Sequence, residues 1–161
     1  MESRIMSDKY YFDLLQPTEN LDKAMNDLGN TLGVLYQEMW SKYGSKNHDD
    51  KPFELNIQAF SSMWFNGSIT LFVAYEVGTN KPVGFATGTS FRPMAYNSNV
   101  FQVHDWYISD TSAVKDLFDY ITGAIRILKC DELWCREYAE LPVVLDGWDC
   151  KGVMNVKRFA R

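Results

Sequence analysis

A chain of 161 residues, 46% hydrophobic and 15% aromatic, can bury a substantial core, so we predict a single domain over residues 1–161. The formal charge of −5 argues against a nucleic acid or an anionic membrane as principal partner, because both require clustered Lys and Arg to neutralise phosphate. The nearest basic cluster is short and consists of Lys151, Lys157, Arg158 and Arg161.

The composition also bears on compartment and metal content. No segment approaches the ~20 apolar residues that a membrane span needs, and the first eight residues contain no apolar leader core, so we expect a cytoplasmic protein. Cys130, Cys135 and Cys150 are odd in number and sparse, which favours a reducing compartment over a disulfide framework. Neither His48 nor His104 completes a zinc-binding spacing with them, so we expect no metal.

The chain begins with a predicted strand and a long helix. Tyr10 to Leu15 is a short aromatic and aliphatic run that Pro17 ends, which is typical of a strand. Apolar residues then recur every three or four positions from Leu21 to Met39, the pattern of an amphipathic helix, with Thr18 as its predicted cap.

A second helix is predicted after a polar loop. Asp50 and Pro52 make a good helix start, and Asn66 marks the end. The helical spacing between them is carried by Phe53, Ile57, Phe60 and Trp64.

From Ile69 the period of the pattern changes to 2. Ile69 to Val77 alternates between two faces, Gly78 to Pro82 supplies turn residues, and Val83 to Phe91 alternates again. The sequence therefore predicts an antiparallel hairpin.

The second half predicts a central strand, a helix and further strands. Val100 to Ile108 is apolar on both faces, and an apolar stripe from Val114 to Leu128 predicts a helix facing the core. Glu132 to Arg136 follows so closely that it should lie parallel to the central strand, and Val153 to Ala160 suggests a closing strand. The predicted cap of the helix is Asp110, Thr111 or Ser112.

This order of elements, with two short motifs, resembles the GCN5-related N-acetyltransferases over nearly the whole chain. The run Lys81-Pro82-Val83-Gly84-Phe85-Ala86 resembles that family's basic-Pro-Val-Gly-aromatic-small element, and Gly147-Trp148 resembles its Gly-Phe step before the last strand. The resemblance implies an α/β fold with a mixed central sheet of about six to seven strands, flanked by three to four helices.

The resemblance also implies acetyl-CoA as cofactor, held where the central strand leaves its neighbour and backbone N–H groups at the next helix cradle the pyrophosphate. In the family an Arg or Gln and two spaced glycines stand before that helix, whereas this chain offers none of them, and Asp110 adds negative charge. We therefore predict weakened or lost acetyl-CoA binding. The residues at the cofactor positions are Ile108, Ser109, Thr111, Ser112 and Ala113.

Catalysis in this family needs a base for the substrate amine and an acid for the departing thiolate. The resemblance assigns His104 or Asp105, in the central strand, to the base and Tyr138, just beyond the next strand, to the acid. The alternative interpretation is that all three are ordinary structural groups. A nucleophilic role for Cys135 lacks any recognisable neighbouring base in the sequence.

Two classes of function remain open. In the first, the fold has lost cofactor binding and serves as a protein-interaction or structural module, similar to small virion-associated or host-directed proteins of tailed phages. In the second, the chain is an active N-acetyltransferase with an atypical cofactor site. We favour the first, expect a protein partner and leave the oligomeric state open. The first class of function would be supported by an exposed cluster of aromatic side chains drawn from Trp40, Trp64, Trp106, Trp134 and Trp148.

Overall fold

The computed structural model describes residues 4–5, 7–17, 20–44, 54–95, 97–136, 149–151 and 154–158. Within these residues it contains the strands and α-helices β1 (Arg4–Ile5), β2 (Tyr10–Leu15), α1 (Leu21–Met39), α2 (Ile57–Phe65), β3 (Thr70–Glu76), β4 (Pro82–Phe91), β5 (Val100–Ile108), α3 (Val114–Ile127), β6 (Glu132–Arg136), β7 (Asp149–Lys151) and β8 (Met154–Arg158). A π-helical segment, Trp40–Gly44, continues α1, and a 3₁₀ turn, Thr111–Ala113, precedes α3. No helix in the described ranges combines the length and apolarity that crossing a membrane requires.

One mixed sheet organises these elements. Its strand order is β1-β2-β3-β4-β5-β6-β8-β7, and every neighbouring pair is antiparallel except β5 and β6, which α3 connects in parallel. The predicted α/β fold with a mixed central sheet and flanking helices is confirmed. The strands beyond the six to seven expected are accounted for by β1 and β7, which are only two and three residues long.

Helices cover both faces of the sheet, so its central strands are buried on both sides. On one face Leu28 and Leu32 of α1 pack in the same cluster as Leu71 of β3. On the other, Leu117 and Ile121 of α3 share a cluster with residues of β2, β3 and β5. Each large apolar side chain buried in this way contributes about 1.5–3 kcal/mol to the free energy of folding. A strand that is covered on both faces, such as β5, therefore carries apolar residues on both.

Strands β4 and β5 approach each other closely around a β-bulge. Thr87 pairs with Asp105 and Gly88 with Val103, so His104 is the extra residue of β5. A Cβ added at Gly88 would lie 2.5 Å from the Gln102 carbonyl oxygen and would collide with the Phe101 ring. Glycine is therefore required at position 88 for this packing.

The exit from α3 explains how the chain turns into β6. Lys129 adopts a left-handed conformation with φ of 61°, and its N–H donates to the Arg126 carbonyl at 3.0 Å. The N–H of Cys130 donates to the Ile125 carbonyl, also at 3.0 Å. These bonds satisfy the last carbonyls of the helix and end it, in the manner of a Schellman motif with Lys in place of the usual Gly.

Most predicted elements are confirmed, including α1 with its predicted bounds, the β3–β4 hairpin, β5, α3 and the parallel position of β6. The predicted start of the second helix is wrong: α2 begins at Ile57, because the Asn56 side chain accepts the Ala59 N–H at 3.0 Å and caps the helix there. Several predictions concern positions outside the described residues, namely Thr18, Asp50, Pro52, Phe53 and Gly147-Trp148.

Candidate functional site

Asp110 closes the loop between β5 and α3. Its Oδ1 accepts the Ser112 N–H at 3.0 Å and the Ser112 hydroxyl at 2.7 Å. Its Oδ2 accepts the hydroxyl of Tyr10, on β2, at 2.8 Å. The first N–H groups of a helix and the positive end of its dipole attract anions, and here the chain supplies a carboxylate of its own to that position. Asp110, one of the three residues that the sequence suggested as a cap, thus caps the 3₁₀ turn that leads into α3, and its bond to Tyr10 was not predicted.

The hydrogen bonds set the protonation states of this pair. The Ser112 side chain, then the Tyr10 hydroxyl, hold the pKa of Asp110 below its usual range. The hydrogen bond to Asp110, followed by burial, raises the pKa of Tyr10 above 10. At neutral pH the carboxylate is therefore ionised and the phenol is protonated.

Three backbone N–H groups of the loop donate within the chain. The Ser109 N–H donates to the Val83 carbonyl at 3.0 Å, and the Ala113 N–H donates to the Asp110 carbonyl at 3.0 Å. The Ser112 N–H donates to the Asp110 side chain. A bound pyrophosphate would have to compete with these acceptors for the same donors.

The other two predicted cofactor residues are the last residue of β5 and a residue within this loop. Ile108 is 2% exposed, and its side chain belongs to the core cluster under α3. Thr111 is exposed and opens the 3₁₀ turn. The structure thus brings all five predicted residues to the beginning of α3, and their role in cofactor binding stays a prediction.

The two predicted bases lie side by side at the β-bulge but contact different groups. The exposed His104 places Nε2 2.8 Å from the Thr89 hydroxyl oxygen. The half-buried Asp105 accepts the Tyr36 hydroxyl on Oδ2 at 2.6 Å. The bulge therefore turns one candidate towards β4 and the other towards α1, and catalytic roles for both stay predictions.

Tyr36 holds Asp105 from a rigid position. Its ring lies 4.6 Å from the ring of Phe85 and 6.3 Å from that of Phe60, and the residue is only 8% exposed. A hydroxyl-to-carboxyl distance of 2.6 Å is at the short end of the O–H···O range, so this is a strong hydrogen bond. The signal missed in the sequence is that Tyr36 follows Leu28 and Leu32 at intervals of four, a polar-tipped residue within an apolar stripe.

A second polar group involving Tyr107 also lies between α1 and β5. The Tyr107 hydroxyl is 2.7 Å from Nζ of Lys42, which sits on the π-helical segment, and it donates to Glu38 at 3.2 Å. The Lys42 ammonium lies 5.1 Å from the centre of the Tyr107 ring. Burial raises the pKa of Tyr107, while Lys42 opposes that shift. No local pattern in the sequence indicates this group, because Lys42 and Glu38 are 65 and 69 residues from Tyr107.

The sequence also drew attention to Tyr138 and the cysteines. Tyr138 lies outside the described residues. Two buried cysteines, Cys130 and Cys135, lie in the described part of the chain as thiols rather than as a disulfide, and burial raises the pKa of Cys130. In the described part of the chain no group of three or more His, Cys, Asp or Glu side chains is placed to hold a metal ion.

Two of the five tryptophans whose exposure would support an interaction module are buried. Trp64 and Trp106 are each 2% exposed, because Trp64 packs in the cluster beneath α1 and Trp106 packs edge-on against Phe118 at 5.2 Å. Trp40 and Trp134 are half-buried. Trp148 lies outside the described residues.

Comparison with known proteins supports the fold rather than a particular activity. Neither a protein-family model nor a curated protein matches the sequence. Solved structures do: ribosomal-protein-S5-alanine acetyltransferase from Vibrio fischeri (9% identity, TM-score 0.59) is matched over 98% of this chain and 97% of that one.

Two further structures agree. A GNAT family acetyltransferase from Staphylococcus aureus (12% identity, TM-score 0.55) and a predicted acetyltransferase from Clostridium acetobutylicum with acetyl-CoA (11% identity, TM-score 0.57) are each matched over 89% of this chain and 96% of their own. The chain therefore has the fold of the GCN5-related N-acetyltransferases.

Proposed function

We propose that this chain is an acetyltransferase-fold protein that has given up the pyrophosphate contacts of acetyl-CoA and works as a protein-interaction module. One observation carries the proposal: the Asp110 carboxylate stands at the beginning of α3 and accepts three hydrogen bonds there, one of them from the Ser112 N–H. The residues present do not fit a bound pyrophosphate, because the chain's own anion takes the place of the ligand's.

Repulsion between the Asp110 carboxylate and a bound pyrophosphate would cost on the order of 1–4 kcal/mol. Two unit charges of like sign 4 Å apart repel by about 1 kcal/mol in water and about 4 kcal/mol at the effective dielectric of a protein surface. A pyrophosphate would meet this repulsion from Asp110, or would have to displace a carboxylate that Tyr10 holds from the neighbouring strand β2. Repulsion or displacement would each weaken the binding of acetyl-CoA, and contacts with the rest of the cofactor would have to offset that loss.

On the sequence resemblance alone, we place the module in the setting of tailed-phage proteins, in the virion or the host cytoplasm. Acetyl-CoA would then be absent from its working cycle, and a protein partner would be its ligand. Mass spectrometry of purified virions against host lysate, after infection with a phage that encodes this chain, separates the two locations.

Calorimetric titration of acetyl-CoA into the purified protein tests the central claim. We expect no saturable heat at about 1 mM cofactor, corresponding to a free energy of binding weaker than about −4 kcal/mol. A micromolar dissociation constant would overturn the proposal.

A matched pair of variants tests the cause. Asp110→Ser removes the charge at the cap but keeps a hydroxyl that can cap the helix, and we expect it to gain at least about tenfold in acetyl-CoA affinity, or about 1.4 kcal/mol. Asp116→Ser removes the same charge from the first turn of α3 without touching the cap. Equal behaviour of the two variants would mean that net charge, rather than Asp110 itself, decides cofactor affinity.

A second candidate, an active N-acetyltransferase with an atypical cofactor site, is supported by the half-buried Asp105–Tyr36 pair at the β-bulge. In that case Asp105 would accept a proton from the acceptor amine and Tyr36 would orient the carboxylate. Acetyl transfer from acetyl-CoA to n-propylamine or to a lysine-containing peptide, abolished in Asp105→Asn and kept in Asp119→Asn, would favour this candidate. Turnover equal to the uncatalysed rate would exclude it for these acceptors.

A further inference from the structure

Helix α2 ends in the only Asn-Gly step of the sequence. Asn66 caps the end of α2, and both Asn66 and Gly67 are exposed. In such a step the backbone nitrogen of the glycine can attack the amide carbon of the asparagine side chain, which leads to deamidation. Glycine hinders this attack least, because it has no Cβ and leaves the backbone the most freedom. Asn66 is therefore the asparagine of this chain that is intrinsically most prone to deamidation.

Hydrogen bonds at the end of α2 keep this step from reacting in the folded chain. The Gly67 N–H donates to the Trp64 carbonyl at 3.1 Å and the Ser68 N–H to the Met63 carbonyl at 2.8 Å, a Schellman motif in which Gly67 has a φ of 79°. The Ser68 N–H also donates to Oδ1 of Asn66 at 3.0 Å. Asn66 has a ψ of 3°, whereas the five-membered ring that deamidation forms needs the Gly67 nitrogen turned towards the side chain. The motif must therefore open before Asn66 can react.

One buried side chain fastens the last turn of α2 to the sheet. Trp64 is 2% exposed, and its indole N–H donates to the Leu15 carbonyl of β2 at 3.0 Å. The residues that follow it, from Phe65 to Ser68, are exposed. Helix ends open at a smaller free-energy cost than the whole domain unfolds, particularly where their hydrogen bonds face solvent. The last turn of α2 can thus open while the sheet stays folded, and the Trp64 contact limits how often it does.

We propose that Asn66 is a site of spontaneous deamidation whose rate is set by local opening of the end of α2. In the opened chain the Gly67 nitrogen bonds to Cγ of Asn66 and gives its proton to water, and the side-chain nitrogen leaves as ammonia. The product is a five-membered succinimide. Water then breaks one of the two ring bonds to the Gly67 nitrogen, which leaves aspartate or isoaspartate at position 66. The net change converts an amide and water into a carboxylate and ammonium, so the reaction needs no other reactant.

The change is irreversible and weakens the end of α2. Both products place a carboxylate at the C-terminal end of the helix, where the partial negative charge of the last carbonyl groups makes an anion unfavourable. Isoaspartate also lengthens the main chain by one carbon, so the N–H groups of Gly67 and Ser68 no longer match the Trp64 and Met63 carbonyls. Copies of the protein that have reacted therefore open this turn more readily than copies that have not.

Peptide mass spectrometry of the full chain, sampled during incubation at neutral pH, tests the proposal. We expect the peptide that contains Asn66 to gain the mass difference between an amide and an acid, in two forms that co-elute with synthetic aspartate and isoaspartate peptides. The peptide that contains Asn97 and Asn99 is the internal comparison and should change far more slowly. In denaturing urea the Asn66 reaction should be at least about tenfold faster, because opening is then no longer required. Equal rates at these asparagines, or equal rates with and without urea, would overturn the proposal.

A matched pair of variants separates local opening from global unfolding. Trp64→Phe keeps an aromatic ring and removes the bond to the Leu15 carbonyl, so deamidation should be about fivefold faster, the factor that corresponds to one hydrogen bond. Asp110→Ala destabilises the domain at the beginning of α3, away from α2, and should leave the rate unchanged. Thermal denaturation of both variants shows how far each destabilises the domain. Equal acceleration in the two variants would mean that the reaction proceeds through global unfolding, and would overturn the proposal.

Hydrogen exchange in the wild type gives the same quantity without any substitution. The exchange protection of the Gly67 and Ser68 amides measures how often the end of α2 opens. It should agree, within about threefold, with the ratio of the deamidation rates in urea and in the folded chain. Protection of these two amides as strong as that of the β3 amides would show that the turn does not open locally, and would contradict the proposal.

Discussion

Two aspartates five residues apart, Asp105 and Asp110, each accept a tyrosine hydroxyl from another element, yet they do different things. Asp110 accepts three hydrogen bonds at the beginning of α3 and is a cap. Asp105 accepts the Tyr36 hydroxyl at 2.6 Å beside a β-bulge, between a helix and the sheet. The backbone around each carboxylate decides its contacts: at a helix N-terminus the group caps backbone N–H donors, and beside the β-bulge it accepts a tyrosine hydroxyl from α1.

The largest effect on stability is expected from a substitution at the β-bulge next to Asp105. Gly88→Ala places a methyl group against the Phe101 ring and the Gln102 carbonyl, which should lower the free energy of unfolding by about 3 kcal/mol through overpacking. Urea denaturation measures it. Gly123→Ala, in α3 with no atom within 4 Å of the new methyl group, should instead stabilise the protein by about 0.5–1 kcal/mol. Equal effects would mean that the bulge is not tightly packed.

Removing the other carboxylate should cost less. Asp110→Ala leaves the Ser112 N–H and the Tyr10 hydroxyl without their acceptor, which should lower the free energy of unfolding by about 1–2 kcal/mol, as for other helix caps. Thermal denaturation at neutral pH gives the value. Asp119→Ala, which removes an exposed partner of Lys115, is the control and should cost under about 0.5 kcal/mol.

The pH dependence of stability should separate the two partners of the cap. The pKa of Asp110 is lower in the folded than in the unfolded protein, so its contribution is present above pH ~4 and is lost as the pH falls through the folded pKa. The pKa of Tyr10 is raised, so its contribution is complete below pH ~10 and is lost as the pH rises through its folded value. Denaturation midpoints of wild type and Asp110→Asn should therefore converge in acid. Parallel profiles would contradict this.

Tyr36→Phe probes the Asp105 side of the comparison. The substitution keeps the ring contacts with Phe60 and Phe85 and removes only the hydroxyl, so we expect a loss of about 1 kcal/mol, the usual size for one hydrogen bond. Urea denaturation of Tyr36→Phe, Asp105→Asn and the double variant measures the coupling. Additive losses would mean that the pair does not interact in solution.

The smallest effect is expected at the far end of α3. Lys129→Gly relieves a left-handed backbone at a position that favours Gly, while the unfolded chain gains entropy, so the net gain should be about 0.5–1 kcal/mol. A thermal midpoint below that of the wild type would show that the Lys129 side chain contributes more than its backbone costs. Lys115→Gly, at an ordinary helical position, should destabilise the protein by about 1 kcal/mol.

The sequence predicted what depends on nearby residues. The alternation from Ile69 to Val77 identified β3, and the polar residues before α3 identified its cap, because both patterns are read within a few positions. It did not predict that Tyr10 would reach Asp110, 100 residues away, or that Tyr36 would reach Asp105, 69 residues away. Such contacts depend on strand order and on the bulge at His104, neither of which leaves a local pattern.

The start of α2 shows a different kind of failure. Pro52 and Asp50 are good start residues, but Asn56 is a cap as well and lies closer to the apolar run that the helix buries. Where two residues could each cap a helix, the start of the helix depends on which cap lets it pack on the sheet. Packing of this kind involves residues distant in sequence, so a local pattern does not reveal it. The exposure of the tryptophans is a tertiary property too: their number was visible in the sequence, while the burial of Trp64 and Trp106 was not.

The position of β2 has a consequence for the order of events during synthesis. Tyr10 and Leu15 pair with Glu76 and Leu71, so this strand leaves the ribosome long before β3, the partner along its whole length, has been made. At about 5–20 residues per second, some 3–13 seconds separate the emergence of Tyr10 from that of Glu76. Throughout that interval an aromatic strand is available to chaperones or to other nascent chains, so the yield of this protein should depend on how quickly translation proceeds through the first half of its message.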